Sequence, residues 1–172
     1  MPLASGLEWP AVCVRPDLVA LKAKVQAASP LIKALALATE HAATVPMQSI
    51  EMLREGGFFD IVKPKAFGGY EHDFDVLVDL NIELAKACAS TAWVAGILAA
   101  HQWLLASFPA EAQHDVWDRD SNALLCGSYA PAAQAVAEAG GYRVSGRWSF
   151  ASDPGSTGKR PGRPSWESVS ST

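Results

Sequence analysis

Residues 91–110 read TAWVAGILAAHQWLLASFPA, twenty positions without one Asp, Glu, Lys or Arg. A run of that length could span a hydrocarbon core. It is equally what a helix buried on every side of a protein interior looks like. His101, Gln102 and Ser107 inside the run, Pro109 near its end and the lack of a basic cluster at either flank favour the buried helix. The fold therefore turns on a central apolar helix, capped by Ser90 or Thr91 and ended at Phe108-Pro109, around which the rest of the chain packs.

Working upstream, Asp73 caps a second helix running from Phe74 to about Ala89. Leu77, Leu80, Leu84 and Cys88 fall on one stripe of it and Asp75, Asp79, Glu83 and Lys86 on another, a spacing of three or four held over four turns. Before it, Asp17 to Ala28 predicts a helix, with a break or kink at Ser29-Pro30 and a resumption over Leu31 to Ala43. A third segment, Pro46 to Glu55, is stopped by Gly56-Gly57. Phe58 to Val62 reads as a short extended link into a turn over residues 63–70, where Pro64 and Gly68-Gly69 oppose regular structure. Downstream, Pro109 opens a short helix through Trp117 with Glu111 near its positive end.

After Asp118 the period changes. Ala123 to Tyr129 predicts an apolar strand, and Gln134 to Ala139 with Tyr142 to Ala151 predict a hairpin about Gly140-Gly141. Tyr142, Val144, Trp148 and Phe150 alternate with Arg143, Ser145, Arg147 and Ser149, as in a half-buried strand. Three strands leave an open edge that calls for more. From Asp153 to Thr172, 13 of 20 residues are Gly, Pro, Ser or Thr, which predicts a disordered tail. The expected architecture is mainly α: a helical domain over 15–118, a partial β-domain over 119–152 and a tail over 153–172.

Composition excludes several classes. The 172 residues are 49% hydrophobic and 19% charged, a globular balance, and a net charge of -4 gives no footprint for nucleic acid. Cys13, Cys88 and Cys126 are widely spaced with no C-x-x-C, so neither a disulfide framework nor a metal site is signalled. Residues 1–10 lack a basic stretch followed by an apolar one, and a cytoplasmic location without membrane attachment is the expectation.

No phosphate-binding Gly-rich loop, no H-E-x-x-H and no metal-spaced pair of histidines occurs. Of His41, His72, His101 and His114, His101 stands out: it interrupts the charge-free run, with Trp93 eight residues before it and Trp103 two after. Either it is a core histidine bonded to a backbone group, or it is a polar residue lining a flat, aromatic-walled pocket. Ser128, Ser149 and Ser152 stand at predicted strand ends, where solvated termini or ligand donors are both available readings, and Trp148 reads as core or as a stacking surface.

Five stretches, taken in order, carry a resemblance: GFFDIVKPKAFGGY (57–70), LAKACASTAWVA (84–95), HQW (101–103), CGSYAP (126–131) and GGYRVSGRWSFAS (140–152). Together they resemble the N-terminal part of the acyl-CoA dehydrogenase-like flavin-dependent monooxygenases, the oxygenase components of two-component phenol hydroxylases. That resemblance implies an acyl-CoA dehydrogenase-like N-terminal helical domain followed by the first strands of a middle β-barrel, with a C-terminal four-helix bundle in the complete family member. It implies reduced FMN or FAD as cofactor, an aromatic small-molecule substrate, a separate flavin reductase and a homo-oligomer. Trp93 and His101 would line the pocket between flavin and substrate, with His101 catalytic through a hydrogen bond to the phenolic oxygen. Ser128 would lie against substrate or flavin, and Trp148 and Ser152 would border the flavin.

The chemistry implied is attack of an electron-rich phenolate carbon on a flavin C4a-hydroperoxide. A phenol titrates near pH ~10, so ionising it near neutrality asks the site for about 4 kcal/mol. After Ser152 the chain departs from the family pattern into Asp153-Pro154-Gly155, and the expectation is a truncated or frame-disrupted oxygenase, inactive by itself. Two alternatives stand beside it: a fragment of a true acyl-CoA dehydrogenase, using FAD on a thioester, and a non-catalytic helical interaction module. Dehydrogenases carry a T-E-P-x-x-G-S-D type segment where this chain has C-G-S-Y-A-P, which favours the monooxygenase branch.

Overall fold

Six helices and one hairpin make up the described part of the computed structural model, which covers residues 16–127, 133–139 and 141–146. The helices are α1 (Pro16–Ala34), α2 (Ala36–Ala42), α3 (Met47–Glu55), α4 (Phe74–Ala85), α5 (Ala89–Ala106) and α6 (Ala110–Trp117). The charge-free helix α5 is the hub and packs against α2, α3, α4 and α6. Its inner arc of Thr91, Ala95, Leu98, Gln102 and Leu105 is buried. Leu77, Leu80 and Leu84 of α4 close onto that arc, as their spacing predicts, and each contributes about 1.5–3 kcal/mol by leaving water. Between the two helices Gly96 faces the Asn81 side chain, and a Cβ there would stand 2.7 Å from the amide nitrogen.

The helices differ from the sequence reading in ways that packing explains. Pro30 lies inside α1 rather than at a break. Leu21, Val25, Ala28 and Ile32 form one apolar stripe that runs through the proline, so burial keeps the helix in register, and the interruption falls at Leu35. Phe58 and Phe59 sit on a single 3-10 turn, Phe58–Asp60, not on an extended link. Adjacent residues of a strand point to opposite faces, whereas both rings here are buried, packed edge to face at 5.9 Å. Asp73 occupies the N-cap position of α4 without a side-chain capping bond, and Cys88 precedes the first turn of α5 in place of Ser90 or Thr91.

Residues 123–127 are not a strand, for a reason that belongs to the site below. The hairpin forms: β1 (Ala133–Glu138) pairs antiparallel with β2 (Gly141–Gly146), closing at Glu138 opposite Gly141. Its described part is exposed, with Val144 half-buried and Tyr142 exposed, rather than the half-buried ladder expected. The rest of the second hairpin strand and the tail predicted as disordered lie outside the described residues. Among the described residues no helix is long and apolar enough to cross a membrane.

The outer face of α5 carries Trp93 at 71% and Trp103 at 50% exposure, while Leu98 on its inner face is fully buried. Leu98→Ala should therefore cost about 3 kcal/mol in urea unfolding, and Trp93→Ala less than about 1 kcal/mol. Equal losses for the two would contradict this placement of the helix.

Candidate functional site

His101 is buried on α5, and its Nδ1 lies 2.7 Å from the carbonyl oxygen of Ile97, one turn earlier. A carbonyl can only accept, so Nδ1 carries the proton, and in the neutral ring the lone pair belongs to Nε2. That edge of the ring faces Gly127, on which a Cβ would stand 3.3 Å from Nε2. The bare Cα of Gly127 thus lets the chain pass close to a nitrogen built to accept a proton.

What brings Gly127 there is a set of three bonds to consecutive carbonyls. Lys63 Nζ donates to the carbonyl of Ser121, Arg54 to that of Asn122 at 2.5 Å, and the Gln102 amide to that of Ala123 at 2.8 Å. The donors come from three elements: the turn after the buried Phe58-Phe59 pair, α3 and α5. The carbonyl of Ala123, the first residue of the strand predicted over 123–129, is thus taken by Gln102 and not by a neighbouring strand, and the run is irregular through Gly127, the last described residue of that run. Gln102 is itself held at its other end, its Oε1 accepting from the Trp117 indole at 3.1 Å. Lys63 is buried, sits 5.7 Å from the centre of the Trp117 ring and pairs with Asp60 at 3.6 Å. Gly69 makes this turn possible, because a Cβ there would fall 2.0 Å from the Lys63 carbonyl.

Trp93 and His101 are eight residues apart on α5, which is about 12 Å along the axis and about 80° around it. Trp93 opens into a groove of about 630 Å³ whose other walls are Thr39, Glu40 and Val45, and His101 is not among its lining residues. The two residues therefore share a helix without meeting in one described cavity. Ser128, Trp148 and Ser152 lie outside the described residues. Sequence reading singled out His101 but passed over Gln102, Gly127, Lys63 and Arg54. Gln102 was legible as a second polar residue in an apolar run. The partners of Lys63 and Arg54 are backbone carbonyls 58 and 68 residues away, for which no local pattern exists.

A family model for the acyl-CoA dehydrogenase N-terminal domain matches residues 21–119. The chain belongs to the acyl-CoA dehydrogenase family. Within it, the chain is 58% identical over 134 residues to the oxygenase component of an FADH2-dependent resorcinol hydroxylase from a Rhizobium species, covering 78% of this chain and 33% of that protein. Among solved structures it resembles the HsaA monooxygenase from M. tuberculosis, with a TM-score of 0.75 at 34% identity over 78% of this chain and 37% of that one. It also resembles XiaF from Streptomyces, solved with FADH2 and glycerol, with a TM-score of 0.73 at 25% identity, covering 78% of this chain and 34% of that one. The chain spans about a third of the length of the curated relatives it matches. The Rhizobium and M. tuberculosis relatives are named as oxygenases, and the resemblance read from the sequence holds at the level of the family and the fold.

The Asp60–Lys63 pair gives the site a pH signature. Burial pushes the Asp60 carboxyl above its ordinary value of 3.8, outweighing the pull of Lys63 and Arg54. A carboxyl raised in the folded state holds its proton better there than in the unfolded chain, so its contribution is greatest below the unfolded value and is lost as pH rises through the raised one. Measured against Asp60→Asn, which cannot ionise, wild-type stability should fall as pH rises from the ordinary carboxyl value of 3.8 through the raised one. A difference that rises with pH over that window would contradict the assignment.

Proposed function

We propose that this chain is the N-terminal part of the oxygenase component of a two-component, flavin-dependent phenol hydroxylase, with His101 as the base that takes the phenolic proton. The observation that carries the reading is the Nδ1–H bond to Ile97, because it fixes the tautomer whose Nε2 is an acceptor. A phenol oxygen beside Gly127 would meet that lone pair, and passage of the proton to Nε2 leaves phenolate, the form with an electron-rich ring carbon. Burial of His101 keeps water from competing for the proton.

Reduced flavin, with O2, supplies the oxygen atom when bound. Ser128, Trp148 and Ser152 are the residues we assign to flavin on the resemblance, Ser128 also standing near substrate, and Trp93 is assigned to the substrate side. The residues present fit the substrate end of such a site: a close approach that a Cβ would fill lies against an acceptor nitrogen. The names of the relatives support an aromatic substrate and FADH2. A separate reductase as supplier of reduced flavin, a cytoplasmic location and a homo-oligomer covering the apolar outer face of α5 complete the proposal.

The test is a chimera in which residues 21–127 of this chain replace the matching segment of the Rhizobium resorcinol hydroxylase oxygenase component. Supplied with reduced FAD and O2, it should hydroxylate resorcinol, and His101→Asn should lower kcat roughly 10²- to 10⁴-fold while leaving the fold intact. A folded chimera with the same kcat in both forms would overturn the role of His101.

A further inference from the structure

Three consecutive carbonyls are captured by three side chains that converge from separate elements, and the segment they hold ends at the residue facing His101 Nε2. From that we infer that Gln102 is a positioning residue, acting with Lys63 and Arg54, that sets the width of the gap between His101 and Gly127. This inference rests on the reading of His101 as the proton acceptor, since the gap matters only if something enters it.

Gln102 holds the leading place among the three because it follows His101 on the same turn of α5. Its amide fixes Ala123 relative to the very backbone that carries the imidazole, and three residues of chain then separate the clamp from Gly127. The amide has no rotational freedom left: its oxygen accepts from the Trp117 Nε1–H and its nitrogen donates to Ala123, so neither end can turn without stranding a buried group. Lys63 and Arg54 hold the two preceding carbonyls, which stops the segment from pivoting about Ala123. A Cβ at 3.3 Å from Nε2 is already tighter than ordinary contact, so any shift of the clamped segment toward α5 would press residue 127 onto the ring.

The 172-residue chain, isotopically labelled, provides the test through the nuclear Overhauser contact between the Gly127 α-protons and the His101 ring. That contact should be present in the wild type, lost in Gln102→Met, and lost in Lys63→Met but restored in Lys63→Arg, which keeps a donor for the Ser121 carbonyl. Persistence of the contact in folded Gln102→Met, or its absence in Lys63→Arg together with Lys63→Met, would overturn the positioning role. If Gln102→Met does not fold, the Lys63 pair decides by itself. The outcome is independent of catalysis, so the clamp can fail while His101 remains the base, and His101 can fail in the chimera while the clamp stands.

Discussion

A helix that is apolar on every side has one exacting requirement: any polar group it carries into the core must find a partner there, at a cost of about 1–3 kcal/mol for each that does not. On α5 the two largest buried polar side chains are neighbours, His101 and Gln102, while the smaller Thr91 hydroxyl is buried without a hydrogen bond. His101 meets the requirement within its own helix through Ile97, and Gln102 meets it by reaching out to Trp117 and Ala123. The first bond decides which ring nitrogen is basic. The second brings a distant segment of chain across that nitrogen. Both properties of the candidate site follow from placing a His-Gln pair on the inner edge of a charge-free helix.

The buried cation near the site obeys the same rule. Lys63 is removed from water, and Asp60, the Ser121 carbonyl and the Trp117 ring share the work of stabilising its charge. Trp117 thereby serves two neighbours, donating from its nitrogen to Gln102 while its ring stands near the Lys63 ammonium. The turn at residues 57–70 and the end of α6 are thus tied to one another through the groups that hold residues 121–123. A change at the Phe58-Phe59 turn would reach His101 by this route, through backbone position rather than through charge.

Much of this was legible in the sequence where local periodicity governs. The stripe of Leu77, Leu80 and Leu84, the Pro109 start of α6 and the pairing of the hairpin all depend on neighbours within a few residues, and all appear in the structure, although Gly141, expected in the turn, is already paired with Glu138. Pro30 was misread because a local rule about proline competes with a tertiary one: the stripe through Ile32 is buried, and burial outweighs one missing backbone bond. The strand expected over 123–129 is absent over its described part, 123–127, for a parallel reason. An apolar run has the composition of a strand, but its first carbonyl, at Ala123, answers to Gln102, and the two carbonyls before it answer to Arg54 and Lys63, whose donors lie far away in sequence. His101 could be singled out as an anomaly, whereas its tautomer and its closeness to Gly127 required coordinates.

The central claim is that His101 presents an unprotonated Nε2 to Gly127 because Ile97 holds the proton on Nδ1. Ring nitrogen resonances of 15N-histidine-labelled protein, with His101 assigned by their disappearance in His101→Gln, test it directly. At a pH where the ring is neutral the account predicts a proton on Nδ1 and a lone-pair signal from Nε2. A proton on Nε2 in the neutral ring would contradict it.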